Sequence, residues 1–137
     1  MRAVLDTVVF VRALIGPRGL WGRVLFEACD QYTLVLSPEI IREILEVLYR
    51  SKLRERFPQI DEVAIDRVLV IFESAEVIEP EGRLSVCRDP KDDKFFECAV
   101  EGRTDVIVSE DSDILDVSLP GIRTVTAREF LELLRGE

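Results

Sequence analysis

Asp6, Glu43, Asp92, Asp111 and Asp113 are the side chains of this sequence whose types and spacing suit them to act together. Asp6 interrupts an apolar run from Arg2 to Phe10. An acid inside a buried strand is costly unless it meets a cation, a hydrogen-bond network or the mouth of a cleft. Capping of the following turn accounts for Asp6 equally well. Glu43 falls just beyond the apolar stripe of Ile40, Ile41, Ile44, Leu45 and Leu48, nearer to it than Glu39 or Glu46, where it could lean toward a cleft. Asp92 shares a helix side with Phe95, Phe96 and Ala99 and is expected to face inward, with Asp93 turned to solvent. Asp111 and Asp113 follow the apolar run Val106-Ile107-Val108-Ser109. Taken singly, each has an ordinary alternative: a solvated helix acid at Glu43, a first-turn capping acid at Asp92, loop acids at the last two.

Together, oxygen-only donors select hard cations, Mg²⁺ or Mn²⁺. Two such ions roughly 3.5–4 Å apart can activate a water and stabilise the leaving oxygen of a phosphodiester. The chain contains no histidine, which removes mechanisms that use imidazole as base or zinc ligand. Its three cysteines, Cys29, Cys87 and Cys98, are widely spaced and form no C-x-x-C pair, so they read as reduced core or near-core residues. Twenty-seven acids against eighteen bases give a net charge of −9. That is the wrong sign for attracting phosphate backbones in bulk, so any nucleic-acid contact must be local, and bound cations would reverse the field there. The basic stretch Arg50, Lys52, Arg54 and Arg56, and the looser set Arg12, Arg18 and Arg23, read as solvated helix faces.

The elements that must position these acids are short. Arg2 to Phe10 reads as a strand buried on both faces, and Gly16-Pro17-Arg18-Gly19 as a loop. Leu20 to Cys29 has helical spacing, and Thr33 to Leu36 is a second strand. Ser37-Pro38-Glu39 starts a helix running to about Arg50, with Ser37 as N-cap and proline at the first helical position. A helix through Val63 to Phe72 precedes a strand at Glu76 to Ile78. Asp89-Pro90-Lys91-Asp92 starts a helix that Gly102 ends. Strands at Thr104 to Ser109 and Ile122 to Val125, and a helix at Ala127 to Leu134, complete the chain. Strands separated by helices require crossovers, hence a doubly wound parallel sheet, a three-layer α/β/α sandwich with its site at the carboxyl ends of the strands. With 137 residues, 47% hydrophobic and 33% charged, one folded domain over 1–137 is expected. No apolar run reaches membrane-spanning length, and Asp6 falls where a signal peptide needs an apolar stretch, so a cytoplasmic location is expected.

The sequence resembles the PIN-domain family, and more narrowly its VapC-type toxin nucleases. The resemblance covers nearly the whole chain. It is carried by Val4-Leu5-Asp6-Thr7, by Ser37 to Ile44, by Asp89-Pro90-Lys91-Asp92-Asp93-Lys94-Phe95-Phe96-Glu97-Cys98-Ala99, by Val106 to Leu115 and by the ending Val125 to Leu131. It implies divalent-metal-dependent cleavage of single-stranded RNA, with Asp6, Glu43, Asp92 and Asp111 as the acidic cluster and Asp113 as a fifth member. It also implies a small antitoxin partner and a homodimer. One position departs: the family usually has Asn after the Asp-Thr pair, and this chain has Val8.

Other acidic α/β sites fit less well. A receiver-like domain wants adjacent acids after the first strand and a later lysine; a phosphatase of the haloacid dehalogenase type wants Asp-x-Asp, and position 8 is Val. A dinucleotide binder wants G-x-G-x-x-G after the first strand, which is missing. The alternative that survives is a non-catalytic PIN-like module binding RNA or a protein.

Overall fold

The computed structural model describes Met1 to Gly136; Glu137, the last residue of the expected domain, lies outside the described residues. Five strands form one parallel sheet: β1 (Arg2–Leu5), β2 (Thr33–Leu36), β3 (Glu76–Val77), β4 (Val106–Val108) and β5 (Arg123–Val125). Their spatial order is β3-β2-β1-β4-β5, so the first strand is central. Ala3 pairs with Leu34 on one side and Val106 on the other, and Leu5 with Val108. Ala3, Val4 and Leu5 are wholly buried, as is usual in a parallel sheet covered on both faces.

The helices are α1 (Thr7–Ile15), α2 (Leu20–Gly22), α3 (Pro38–Leu48), α4 (Ser51–Arg56), α5 (Glu62–Ser74), α6 (Asp93–Glu101), α7 (Ser112–Leu115) and α8 (Ala127–Leu134). A π-helical turn, Arg23–Glu27, extends α2, and a 3₁₀ turn, Pro90–Asp92, leads into α6. The α1–α2 crossover from β1 to β2 and the α6 crossover from β3 back to β4 run in opposite directions across the sheet. Right-handed connections therefore set them on opposite faces, giving the three-layer α/β/α sandwich. Phe10, Phe95, Phe96 and Phe130 are the largest wholly buried side chains of the core. α3 packs against both α1 and α6, and this brings its first two turns to the carboxyl edge of the sheet.

Several boundaries depart from the sequence reading. The first strand stops at Leu5 instead of running to Phe10: Asp6 is extended and caps α1, its carboxylate accepting from the Val8 N–H. The run Val8-Val9-Phe10-Val11 is β-rich in composition but helical in fact, because Val9, Phe10, Ala13 and Leu14 then form one buried face. α4 and the single-turn α7 lie where no helix was expected. Strand β2 and helix α8 occupy the expected residues, and α8 carries a full capping box between Thr126 and Glu129. Cys98 is buried and Cys87 half-buried, but Cys29 is exposed, contrary to the expectation that all three lie in or near the core. Among the described residues no helix is long and apolar enough to cross a membrane.

Candidate functional site

Asp6 performs both roles that the sequence left open. Its backbone N–H donates to Val108 O at 2.9 Å, which fixes it at the junction of β1 and β4. Its Oδ2 accepts from Ser109 Oγ at 2.8 Å, while Oδ1 lies 3.4 Å from the Val8 N–H it caps. Asp6 is 5% exposed. Burial raises its pKa above the ordinary carboxylate value; the Ser109 and Val8 hydrogen bonds oppose the rise, and nearby Asp111 and Glu43 add to it.

Asp6 opens into a cleft of about 560 Å³ that is also lined by Glu43, Asp92 and Asp111. Each arrives from a different element. Glu43 comes from the second turn of α3, where it accepts from the Thr7 hydroxyl and pairs with Lys94 Nζ at 2.9 Å. Asp92 closes the 3₁₀ turn before α6, and burial followed by the charges of Asp6, Asp89 and Asp111 pushes its pKa up to about 6. Asp111 follows β4, caps α7 by accepting from the Asp113 N–H, and takes its own N–H to Ser109 Oγ at 3.0 Å.

Asp113 is placed elsewhere. Its carboxylate pairs with Arg88 at 2.9 Å and lines a separate depression with Asp116 and Val117. Asp93 is the other departure: far from turning to solvent, it is 7% exposed and accepts from the Val86 and Cys87 N–H groups at 3.0 and 2.9 Å. The 3₁₀ turn explains this, because three residues per turn shift the helical phase and bring both acids inward, one to the cleft and one beneath the segment 84–87.

Three polar residues that line or back the cleft were not singled out from sequence. Ser109 ties Asp6 to Asp111, Thr7 holds Glu43, and Lys94, 8% exposed, carries the positive charge between α3 and α6. Lys94 has one available signal, its place two residues after Asp92 in an Asp-Asp-Lys run that opens a helix.

Oxygen donors alone face the cleft's acidic side, and two of the four carboxylates are held above their ordinary pKa by burial and by one another. In kind, that donor set fits a hard divalent cation. Among the described residues no three acids or thiols are gathered closely enough to hold an ion as they stand, so closing on one requires side-chain rotation.

Fold and cleft together define an α/β protein with a carboxylate site at the carboxyl edge of a parallel sheet. The chain belongs to the PIN-domain family, which its residues 2–113 match, and whose members are generally nucleases. An uncharacterised protein of Methanocaldococcus jannaschii, MJ1680, is 32% identical over 145 positions, covering 96% of this chain and 90% of that protein. Two solved structures are similar in fold. PAE2754 from Pyrobaculum aerophilum is 16% identical, with a TM-score of 0.63 over all of this chain and 91% of its own. VapBC2 from Rickettsia felis, bound to a DNA fragment from its promoter, is 13% identical, with a TM-score of 0.61 over 92% of this chain and 98% of its own.

Proposed function

We propose that the protein is a divalent-metal-dependent endoribonuclease that cleaves single-stranded RNA, the toxin of a toxin-antitoxin pair. The observation that carries this reading is the convergence of Asp6, Glu43, Asp92 and Asp111 on one cleft, with Asp6 and Asp92 both held above the ordinary carboxylate pKa. Burial, the larger cause, and the repulsion among the acids both disfavour the charged carboxylates, and a bound cation offsets both.

In this reading Asp6, Glu43, Asp92 and Asp111 hold Mg²⁺ or Mn²⁺. When bound, the metal supplies an activated water and charge stabilisation for phosphodiester hydrolysis. The rest falls to the chain's own groups. Ser109 orients the Asp6 carboxylate, and Thr7 and Lys94 fix the Glu43 carboxylate from either side. Arg42, Arg50 and Lys91 on the cleft wall attract the phosphates of a strand despite the net charge of −9. Val8, 41% exposed, lines the wall beside Thr7 and offers apolar contact to a base or ribose.

The Rickettsia felis structure, a VapB–VapC assembly, supports a small antitoxin as partner. A homodimer and a cytoplasmic location complete the proposal. Asp113, occupied with Arg88, joins the metal set only after that ion pair opens.

The test is cleavage of labelled single-stranded RNAs with Mg²⁺, Mn²⁺ or EDTA, beside Asp6→Asn. Metal-dependent cutting that the substitution abolishes supports the enzyme. No cutting by folded protein at any Mn²⁺ concentration favours a binding module.

A further inference from the structure

Beside the cleft lies a second depression of about 320 Å³, and the two share Glu39, Arg42 and Lys94. They form one groove with α3 along its wall. The second depression is reached by Arg42, Arg83 and Lys94, and two of these cations are already matched. Arg83 lies 3.7 Å from Glu39 and 3.6 Å from Glu97, and Lys94 is on Glu43 at 2.9 Å. Arg42 has no carboxylate partner among the described residues, is exposed, and stands at the saddle where the depressions meet.

We propose that Arg42 is a phosphate ligand that carries the substrate strand out of the catalytic cleft and into this second depression. The proposal rests on the ribonuclease reading and assigns the strand a path and a length. A guanidinium binds a phosphodiester through paired N–H donors and keeps its charge at any working pH. In a protein with nine excess negative charges, a free cation beside the cleft determines where a polyanion can lie. The position is a rigid one. Arg42 precedes Glu43 on a helix capped by Ser37, and Glu43 is tied to α1 and α6 through Thr7 and Lys94. Glu79, which also lines the depression, is exposed and has no cationic partner among the described residues, so it disfavours a further phosphate there. The groove therefore holds one flanking phosphate beyond the cleft rather than a long strand.

Binding of a labelled, non-cleavable 2′-O-methyl oligoribonucleotide is measured by fluorescence anisotropy across a salt series with Mn²⁺ present. Wild type is compared with Arg42→Met, Arg42→Lys and Arg123→Met, the last altering an exposed arginine at the opposite edge of the sheet. Arg42→Met is expected to weaken binding roughly tenfold and to reduce the log–log salt slope by about 1, the signature of one lost phosphate contact. Arg42→Lys should restore the slope, and Arg123→Met should match wild type. In cleavage, Arg42→Met should raise KM more on a long strand than on a dinucleotide, which is too short to reach the second depression. Equal affinity and slope in wild type and Arg42→Met would overturn the proposal. Arg42-dependent binding without cleavage refutes the ribonuclease reading alone, cleavage with an Arg42-independent slope refutes this one alone, and neither binding nor cleavage overturns both.

Discussion

Lys94 spans from α6 to α3 and sets its Nζ 2.9 Å from Glu43 Oε1, at the inner wall of the acidic cleft. Lys94 is 8% exposed, and its ammonium lies 5.4 Å from the centroid of the Phe95 ring. Lys94→Met keeps the stem and deletes the charge, leaving Glu43 with only the Thr7 hydroxyl. In EDTA the substitution should cost about 1–3 kcal/mol in urea unfolding. Adding Glu43→Gln should recover part of that loss, because the stranded carboxylate goes with its partner. Wild-type stability in Lys94→Met would show the ion pair to be idle.

Asp6→Asn should separate stability from activity. The buried charge and its repulsion with Asp111 and Glu43 disappear, while asparagine caps α1 as well as aspartate does. Without metal, the thermal midpoint of the variant should equal or exceed that of wild type. Added Mn²⁺ should raise the midpoint of wild type and not of the variant, since only a state with the carboxylate set binds it. A midpoint well below wild type in EDTA would mean that the charge on Asp6 is structural.

The Asp92 carboxyl, with a pKa of about 6 against 3.8, holds its proton more tightly in the folded state than in the unfolded one. The sign follows: between about pH 4 and pH 6 the folded state binds more protons, so this group's contribution to stability falls as pH rises through that window. Thermal midpoints measured in EDTA should show this decline, and Asp92→Asn should remove it. Mn²⁺ should reverse it, because ion binding needs the deprotonated form.

Thiol chemistry should distinguish the cysteines. Cys29 is exposed, whereas burial, and for Cys87 also a hydrogen bond to Asp93, pushes Cys87 and Cys98 up to about 12. Titration with a disulfide reagent near pH 8 should count one fast thiol in the native protein and three in denaturant. Two fast thiols in the native state would mean that the 84–87 segment opens readily.

Much of this architecture is legible in the residues themselves. Ser37-Pro38 starts α3 because a hydroxyl cap and a proline at the first helical position leave little choice, and Thr33–Leu36 is an apolar run too short for a helix. Val8 to Val11 misleads because β-branched residues suit a strand, yet the backbone turns at the Asp6 cap and tertiary packing decides. α4 has no apolar stripe to announce it, being built from Lys, Leu, Arg and Glu. Asp6, Glu43, Asp92 and Asp111 are legible as candidate acids, and their meeting at one cleft depends on α3 touching both α1 and α6. Asp93 could not be placed from an α-helical wheel, because the turn before it is 3₁₀. Nor could Arg42 be told from any other helix arginine, since its lack of a partner is a property of the folded surface.

The central position of β1 has a consequence for synthesis. Its two neighbours, β2 and β4, are made later, and the second of them lies far down the chain. During synthesis Asp6 must wait for Ser109, 103 positions further along the chain, and for Asp111 before its surroundings exist. Closing that distance is a non-local step, slower than forming any single helix. A product cut short before Asp111 carries Asp6, Glu43 and Asp92 without the acid that completes the cleft's lining.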